Sequence, residues 1–297
     1  MLAWPRSLWV ARSTRSKVGP APVTEQRPER CESVRNPLLR SMQMSDDGTT
    51  QNGAAANNSA GEDRQFVHFS FYKLDAAWRR LPEAEQESSR AELAATIESF
   101  GERFALRSYT IAGLRPDADF MLWKVSERLE DFQEIGTAIM STAMGSYLET
   151  PYAYLSMTRR SQYVKGEGRS MHKRGRIMWN PDSRYLLIYP MVKTRAWYQL
   201  SKPARQGIMN EHIATGHQFP TVKINTTYSY GIDDQEFVVA FETDYVGDFL
   251  DLMMRLRETE ASRYTERDTP IFTCISCSVS EALRSLGGAA HALLATD

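Results

Sequence analysis

The sequence predicts an α+β fold in which one βαββαβ plan occurs twice. Two observations carry this. Between residues 66 and 158, segments of strand period and helix period follow one another in the order β-α-β-β-α-β. After an irregular charged stretch, the same order returns between residues 184 and 276. The plan is ferredoxin-like. Two copies side by side pack their sheets face to face or close them into a barrel, with helices on the outer faces. A space between sheet and helices would then suit a flat ligand.

Composition narrows the function classes. The 297 residues are 42% hydrophobic, enough for a sizeable core. With 36 Lys+Arg against 37 Asp+Glu, net charge calls for neither nucleic acid nor an anionic membrane. No run is long and apolar enough to predict a membrane span. Cys31, Cys274 and Cys277 are an odd, sparse set, which points to a reducing compartment and a cytoplasmic protein. The C-I-S-C pair has no second pair to complete a zinc site, and it reads as two small residues at a strand end.

Taken in order, residues 1–64 are rich in Arg, Pro, Ser, Asn, Gly and Ala and lack the apolar content to offset ordering entropy. They read as a disordered tail. The basic, acid-free first 24 residues resemble a targeting leader, and the preferred reading starts the protein at Met44. The first repeat, with its connector, covers 65–182. Val67, Phe69 and Phe71 alternate with polar residues in a strand. Leu93, Ile97, Phe100 and Phe104 mark one face of a helix over 83–103. Strands follow at 106–112 and 119–125 around a turn with Gly113 and Pro116. Ser126 is the expected N-cap of a helix over 127–144 with Leu129, Phe132, Ile135 and Ile139 inward, and a strand at 152–158 ends the repeat. The second repeat covers 183–280: strand 184–193, helix 202–216, strands 221–231 and 235–243, helix 245–260 with Phe249, Leu252, Met253 and Leu256 inward, and strand 270–276. Residues 281–297 read as a loose tail.

The stretch from Tyr185 to Gly216 concentrates the chemistry. Tyr189 and Lys193 stand at i and i+4 on one strand, roughly 13 Å apart on the same face. A phenol there can give up a proton and an electron, and an ammonium can pair with a carboxylate. Ordinarily a strand Tyr is packing and a strand Lys faces solvent. Ile208, His212 and Thr215 share a helix face, where a neutral imidazole can ligate a metal, although such a His is more often a satisfied core residue. Among common motifs there is no Gly-rich phosphate loop, Ser-His-Asp set or HExxH.

Five pieces in order, YPMVKTRAWY (189–198), MNEHIATG (209–216), VK with YSYGIDD (222–234), FVVAFETD (237–244) and LRETEASRYT (256–265), make the chain resemble the chlorite dismutase superfamily, and within it the coproheme decarboxylase branch. The resemblance spans about 66–277. It implies a dimeric α+β barrel with a haem pocket in the C-terminal repeat, and a homopentamer. It implies His212 as the iron ligand, Tyr189 as the redox-active tyrosine and Lys193 as a propionate-binding lysine. Trp197, Arg176 and Arg257 are implied as cofactor-binding residues, with Glu260 beside them. Chlorite-degrading members carry an arginine just after the VK pair, whereas here Ile224 follows it, so a cation to hold chlorite is missing. The implied activity is therefore oxidative decarboxylation of iron-coproporphyrin III (coproheme) to haem b, with hydrogen peroxide as oxidant and a tyrosyl radical at Tyr189. The alternatives are a chlorite dismutase-like haem enzyme and a non-catalytic haem-binding protein. Beyond the porphyrin and copies of itself, no nucleic-acid or membrane partner is expected.

Overall fold

In a computed structural model the described residues are 64–164, 177, 179–180 and 182–288. The expectations for residues 1–63, for most of the connector and for 289–297 lie outside them. The first repeat consists of β1 (Phe66–Leu74), α1 (Glu83–Phe100), β2 (Ala105–Thr110), β3 (Phe120–Ser126), α2 (Glu130–Met140) and β4 (Leu148–Met157). The second consists of β5 (Tyr185–Lys193), α3 (Arg195–Gln199), α4 (Lys202–Gly216), β6 (Lys223–Tyr228), β7 (Phe237–Thr243), α5 (Val246–Glu258), β8 (Thr265–Arg267) and β9 (Phe272–Cys277). Helix α6 (Val279–Arg284) follows.

Strand order decides between the packed and the closed arrangement. The sheet runs β7-β6-β4-β1-β3-β2-β9-β5, and β5 pairs back onto β7, so it closes into a barrel, with β8 added to the end of β5. Each repeat contributes its own four strands, β4-β1-β3-β2 and β6-β7-β5-β9. The two junctions differ. β2 meets β9 over three residue pairs, while β4 meets β6 at Met157 and Tyr228 alone. Side chains complete the narrow junction: Thr227 Oγ1 donates to Ser156 Oγ at 2.7 Å, and Asp233 Oδ2 accepts from Leu155 N at 2.6 Å.

Closure explains why β5 reads as an unbroken apolar run. Leu186 and Ile188 point into the barrel with Val67, Phe69, Phe71, Trp123 and Phe272. Leu187 and Tyr189 point outward, under α5, with Val239, Phe241, Phe249 and Leu252. Both faces are covered, so period-2 alternation of polar residues has nothing to select it. One ion pair ties the repeats together inside the barrel: Arg107 Nη1 of β2 donates to Glu242 Oε1 of β7 at 2.9 Å, and the carboxylate is 1% exposed.

Local departures have physical causes. α1 ends at Phe100 because Gly101 caps it, short of the expected 103. Ser126 is not a helix cap; its Oγ donates to Asp131 Oδ2 and accepts from Arg128 N, which makes a turn, and the helix starts later, at Glu130. That delay leaves Leu129 exposed while Phe132, Ile135 and Ile139 are buried. Met253 is half-buried and faces inward, packed on the cluster around Tyr189 and Phe241. Residues 281–288 are not a loose tail. Ser278 and Glu281 form a capping box, worth on the order of 1 kcal/mol, and Val279, Ala282, Leu283 and Leu286 pack against Trp78, Leu93 and Ile97. Among the described residues no helix is long and apolar enough to cross a membrane.

Candidate functional site

The residues singled out on β5, α3 and α4 fall in two clusters of the second repeat, one around Tyr189 and one around Trp197. Tyr189 is 5% exposed and stacks on Phe241, ring centroids 5.7 Å apart. Its Oη lies 3.9 Å from Met253 Sδ of α5. Burial pushes the phenol pKa up, the Asp268 charge adds to the rise and Arg257 opposes it, so the hydroxyl keeps its proton. Arg257 and Asp268 form an ion pair beside it, with Arg257 about half exposed.

Lys193 is the last residue of β5, and the β5–β8 ladder shifts register there because Glu266 of β8 has no partner. The side chain is buried, 8% exposed. Its ammonium donates to Ala261 O at 3.1 Å and Thr265 Oγ1 at 3.3 Å, and stands 5.2 Å over the ring of Trp197. Burial lowers its pKa to about 8, against the pull of Glu236 and Asp268. No carboxylate touches this ammonium among the described residues, which leaves it suited to receive one. Tyr189 and Lys193 thus fall in two neighbouring clusters, both within the field of Asp268.

His212 projects from the inner face of α4, with Ile208 one turn before it packed on Trp197 and Ala261. Its Nδ1 is buried and has no hydrogen-bond partner. Burial, and after it the charge of Lys193, lowers the imidazole pKa to about 4. The ring is therefore neutral near pH 7, the form that ligates a metal. An unpartnered, neutral ring nitrogen next to a buried ammonium fits an iron porphyrin with carboxylate arms: His212 would hold the metal and Lys193 an arm. Trp197, 3% exposed, sits between Tyr264 and Tyr163, centroids 5.5 and 6.3 Å away. Ile224 lies on the Tyr189 side of the sheet, paired in register with Phe241. Glu260 is exposed; its backbone N donates to Glu211 Oε2 at 3.2 Å, which ties the loop after α5 to the turn carrying His212. Arg176 lies outside the described residues.

Sequence reasoning placed Met253 inward without linking it to Tyr189, and it missed Asp268 and a hydrogen-bonded group beside Lys193. In that group Tyr198 Oη donates to Glu236 Oε2 at 2.5 Å and meets Tyr230 Oη at 2.7 Å, while Glu236 also accepts from Lys193 N. No local spacing joins residues 193, 198, 230 and 236; the β5–β7 pairing brings them together. A notch of about 130 Å³ between α4 and α5, lined by Glu211, Thr215, Gln218, Arg255, Glu258 and Thr259, is polar and includes none of the expected site residues.

Two ferredoxin-like repeats closed into one barrel define a dimeric α+β-barrel protein. Residues 86–277 match the chlorite dismutase family, and the chain belongs to that family. Coproheme decarboxylase of Mycolicibacterium smegmatis is 30% identical over 179 residues, 60% of this chain and 75% of that protein. Chlorite dismutase from Candidatus Nitrospira defluvii, solved with imidazole, is 25% identical with a TM-score of 0.66, covering 75% of this chain and 95% of its own. A heme-binding protein from Thermus thermophilus shares the fold at 23% identity and a TM-score of 0.66, covering 75% of this chain and 94% of its own.

Proposed function

We propose that this protein converts coproheme to haem b by peroxide-dependent oxidative decarboxylation. The observation that carries the reading is the His212 imidazole, neutral and unpartnered at Nδ1, beside the buried ammonium of Lys193. The 30% identity to a coproheme decarboxylase supports it. The bound iron porphyrin supplies the redox centre at which hydrogen peroxide is reduced. Each propionate that reacts loses two electrons and a proton as it becomes a vinyl group and carbon dioxide, and peroxide takes up the electrons to become water.

The chain's own residues orient and relay. His212 fixes the iron from the α4 side. Lys193 draws one propionate carboxylate toward β5 by a charge-assisted hydrogen bond. Tyr189 relays the oxidation as a tyrosyl radical: its Oη loses an electron and a proton and regains both from the propionate arm. Burial keeps that phenol protonated and thus able to give hydrogen. Trp197 walls the site and Ile224 keeps its sheet side apolar, with no cation to retain chlorite. Arg257, through Asp268, sets the field around Tyr189, and Arg176 is proposed as a further carboxylate partner. The protein would act in the cytoplasm as a homopentamer.

The test is to mix purified protein with iron-coproporphyrin III and peroxide and to identify the products by mass. Stepwise loss of two carboxyl groups supports the proposal; unchanged coproheme sinks it. Adding chlorite should release almost no oxygen, because Ile224 stands where a chlorite-holding arginine would be needed.

A further inference from the structure

Arg205 has no place in the scheme above, yet its surroundings are unusual for a helix arginine. It lies seven residues before His212 on α4, two turns or about 10 Å along the axis and on nearly the same face. Ile208 lies between them and packs on Trp197. The Arg205 side chain is half-buried, and its Nε is buried with no hydrogen-bond partner. Its guanidinium makes no hydrogen bond or ion pair among the described residues. Other inward arginines have partners for their Nη atoms: Arg107 holds Glu242, Arg115 holds Asp117, and Arg90, whose Nε is also buried without a hydrogen bond, donates through Nη2 to Gly287 O. A guanidinium stays charged at any pH the protein meets, so it cannot relieve the mismatch by losing a proton.

A chain of contacts locates this guanidinium. The Arg205 charge acts on the phenol of Tyr163. Gln206 Nε2, the next residue on α4, donates to Tyr163 O at 3.1 Å, which fixes Tyr163 against the helix. Tyr163 stands edge-on to Trp197, and Trp197 lies under the Lys193 ammonium. Arg205, Trp197, Lys193 and His212 therefore border one region. Thr194 Oγ1, at the start of the short helix that carries Trp197, is a third buried polar atom there without a partner. Arg205 Nε, His212 Nδ1 and Thr194 Oγ1 are thus three buried polar atoms without a partner on α4 and at the start of α3, and a ligand with acceptors and a metal would satisfy them.

We propose that Arg205 is an anion-binding residue of the His212 site and takes a carboxylate arm of the porphyrin other than the one held by Lys193. The assignment rests on the reading of the site as a porphyrin site. It makes the two ends of α4's inner face complementary to two parts of one ligand: imidazole to metal, guanidinium to acid. Arg205 thereby favours porphyrins that carry carboxylates on more than one edge over those with fewer.

The test compares binding of iron-coproporphyrin III with that of its tetramethyl ester, which keeps the iron and ring and removes the charges. Absorbance titrations read both for the native protein, Arg205→Gln and Arg205→Lys. The native protein should bind the acid more tightly than the ester. Arg205→Gln should lose about 10- to 100-fold for the acid, the worth of a charge-assisted hydrogen bond, and change by less than about twofold for the ester, while Arg205→Lys should recover part of the loss. The ester serves as the folding control, since equal loss for both ligands would mean a structural role and overturn the assignment. If the native protein binds the acid and Arg205→Gln binds it equally well, the Arg205 assignment alone falls. If the native protein binds neither porphyrin, the porphyrin reading falls first and this inference with it.

Discussion

The Lys193 ammonium and the His212 imidazole share one electrostatic environment: burial, and then the Lys193 charge, hold His212 neutral. Neither group has a carboxylate in contact among the described residues. On the proposed function, the pair would take a ligand that is metal at its centre and acid at its edge.

Tyr189→Phe separates binding from chemistry. Among the described residues the Tyr189 hydroxyl has Met253 Sδ as its one hydrogen-bond partner, so its removal should shift stability by less than about 1 kcal/mol. Binding of iron-coproporphyrin III should be unchanged within a few-fold. Haem b formation on addition of peroxide should fall by at least about 100-fold. Full turnover by this variant, read by product mass, would remove Tyr189 from the relay.

His212→Leu should give opposite signs for stability and ligation. In the ligand-free protein Nδ1 is a buried polar atom without a partner, a defect of about 1–3 kcal/mol. An apolar side chain of similar size removes the defect, so the ligand-free variant should melt higher than the native protein. The same variant should lose the absorbance band of histidine-ligated iron porphyrin. A lower melting temperature would mean that the imidazole is satisfied in the ligand-free protein and is an ordinary core residue.

How far the sequence foretells this arrangement differs from element to element. Val67, Phe69 and Phe71 betray β1 because their neighbours alternate, and the βαββαβ order follows from such segments. The closed barrel is one of two outcomes that this order allows, because the junction that completes it, Met157 with Tyr228, is a single residue pair with no local signature. Tyr189, Lys193 and His212 stand out through spacing and resemblance, but the burial of Lys193 depends on Ala261 and Thr265, 68 and 72 residues further along the chain. Arg205 carries no signal of its own, because a charged residue on a helix ordinarily reads as a solvated face. Glu242 hides within the apolar strand FVVAFET, and its need for Arg107 becomes visible only when β2 and β7 face each other across the barrel.

Glu242→Leu and Glu242→Gln test that cross-barrel contact. Glu242 accepts from Arg107, from the backbone of Asn180 and from Asn225 Nδ2 at 2.9 Å, and burial raises its pKa against the pull of Arg107 and Lys223. Removing it strands the Arg107 charge at the junction between repeats. The cost should be about 3–5 kcal/mol in either variant, read by denaturant unfolding. A double change that also replaces Arg107 with Leu should recover much of this, because the penalty lies in the stranded charge. An unaffected single variant would show that water reaches Arg107 and that the pair does not hold the repeats together.

Lys193 gives stability a pH dependence whose sign is fixed. Its pKa is about 8 when folded and near 10.5 in an unfolded chain. Between these values the unfolded chain binds more protons than the folded one, so stability rises as pH rises. Below about pH 8 the folded protein carries the full cost of a buried charge, on the order of 3 kcal/mol, and above about pH 10.5 it carries none. Lys193→Met should therefore be more stable than the native protein at pH 7, and the gap should close between pH 8 and 10.5 in matched denaturant titrations. Binding should run the other way. The native protein should lose affinity for iron-coproporphyrin III as pH climbs through about 8 and the ammonium discharges, and the Met variant should bind weakly and without that pH step. A Met variant that binds as well as the native protein at pH 7 would show that the ammonium's place over Trp197 serves packing and not the carboxylate.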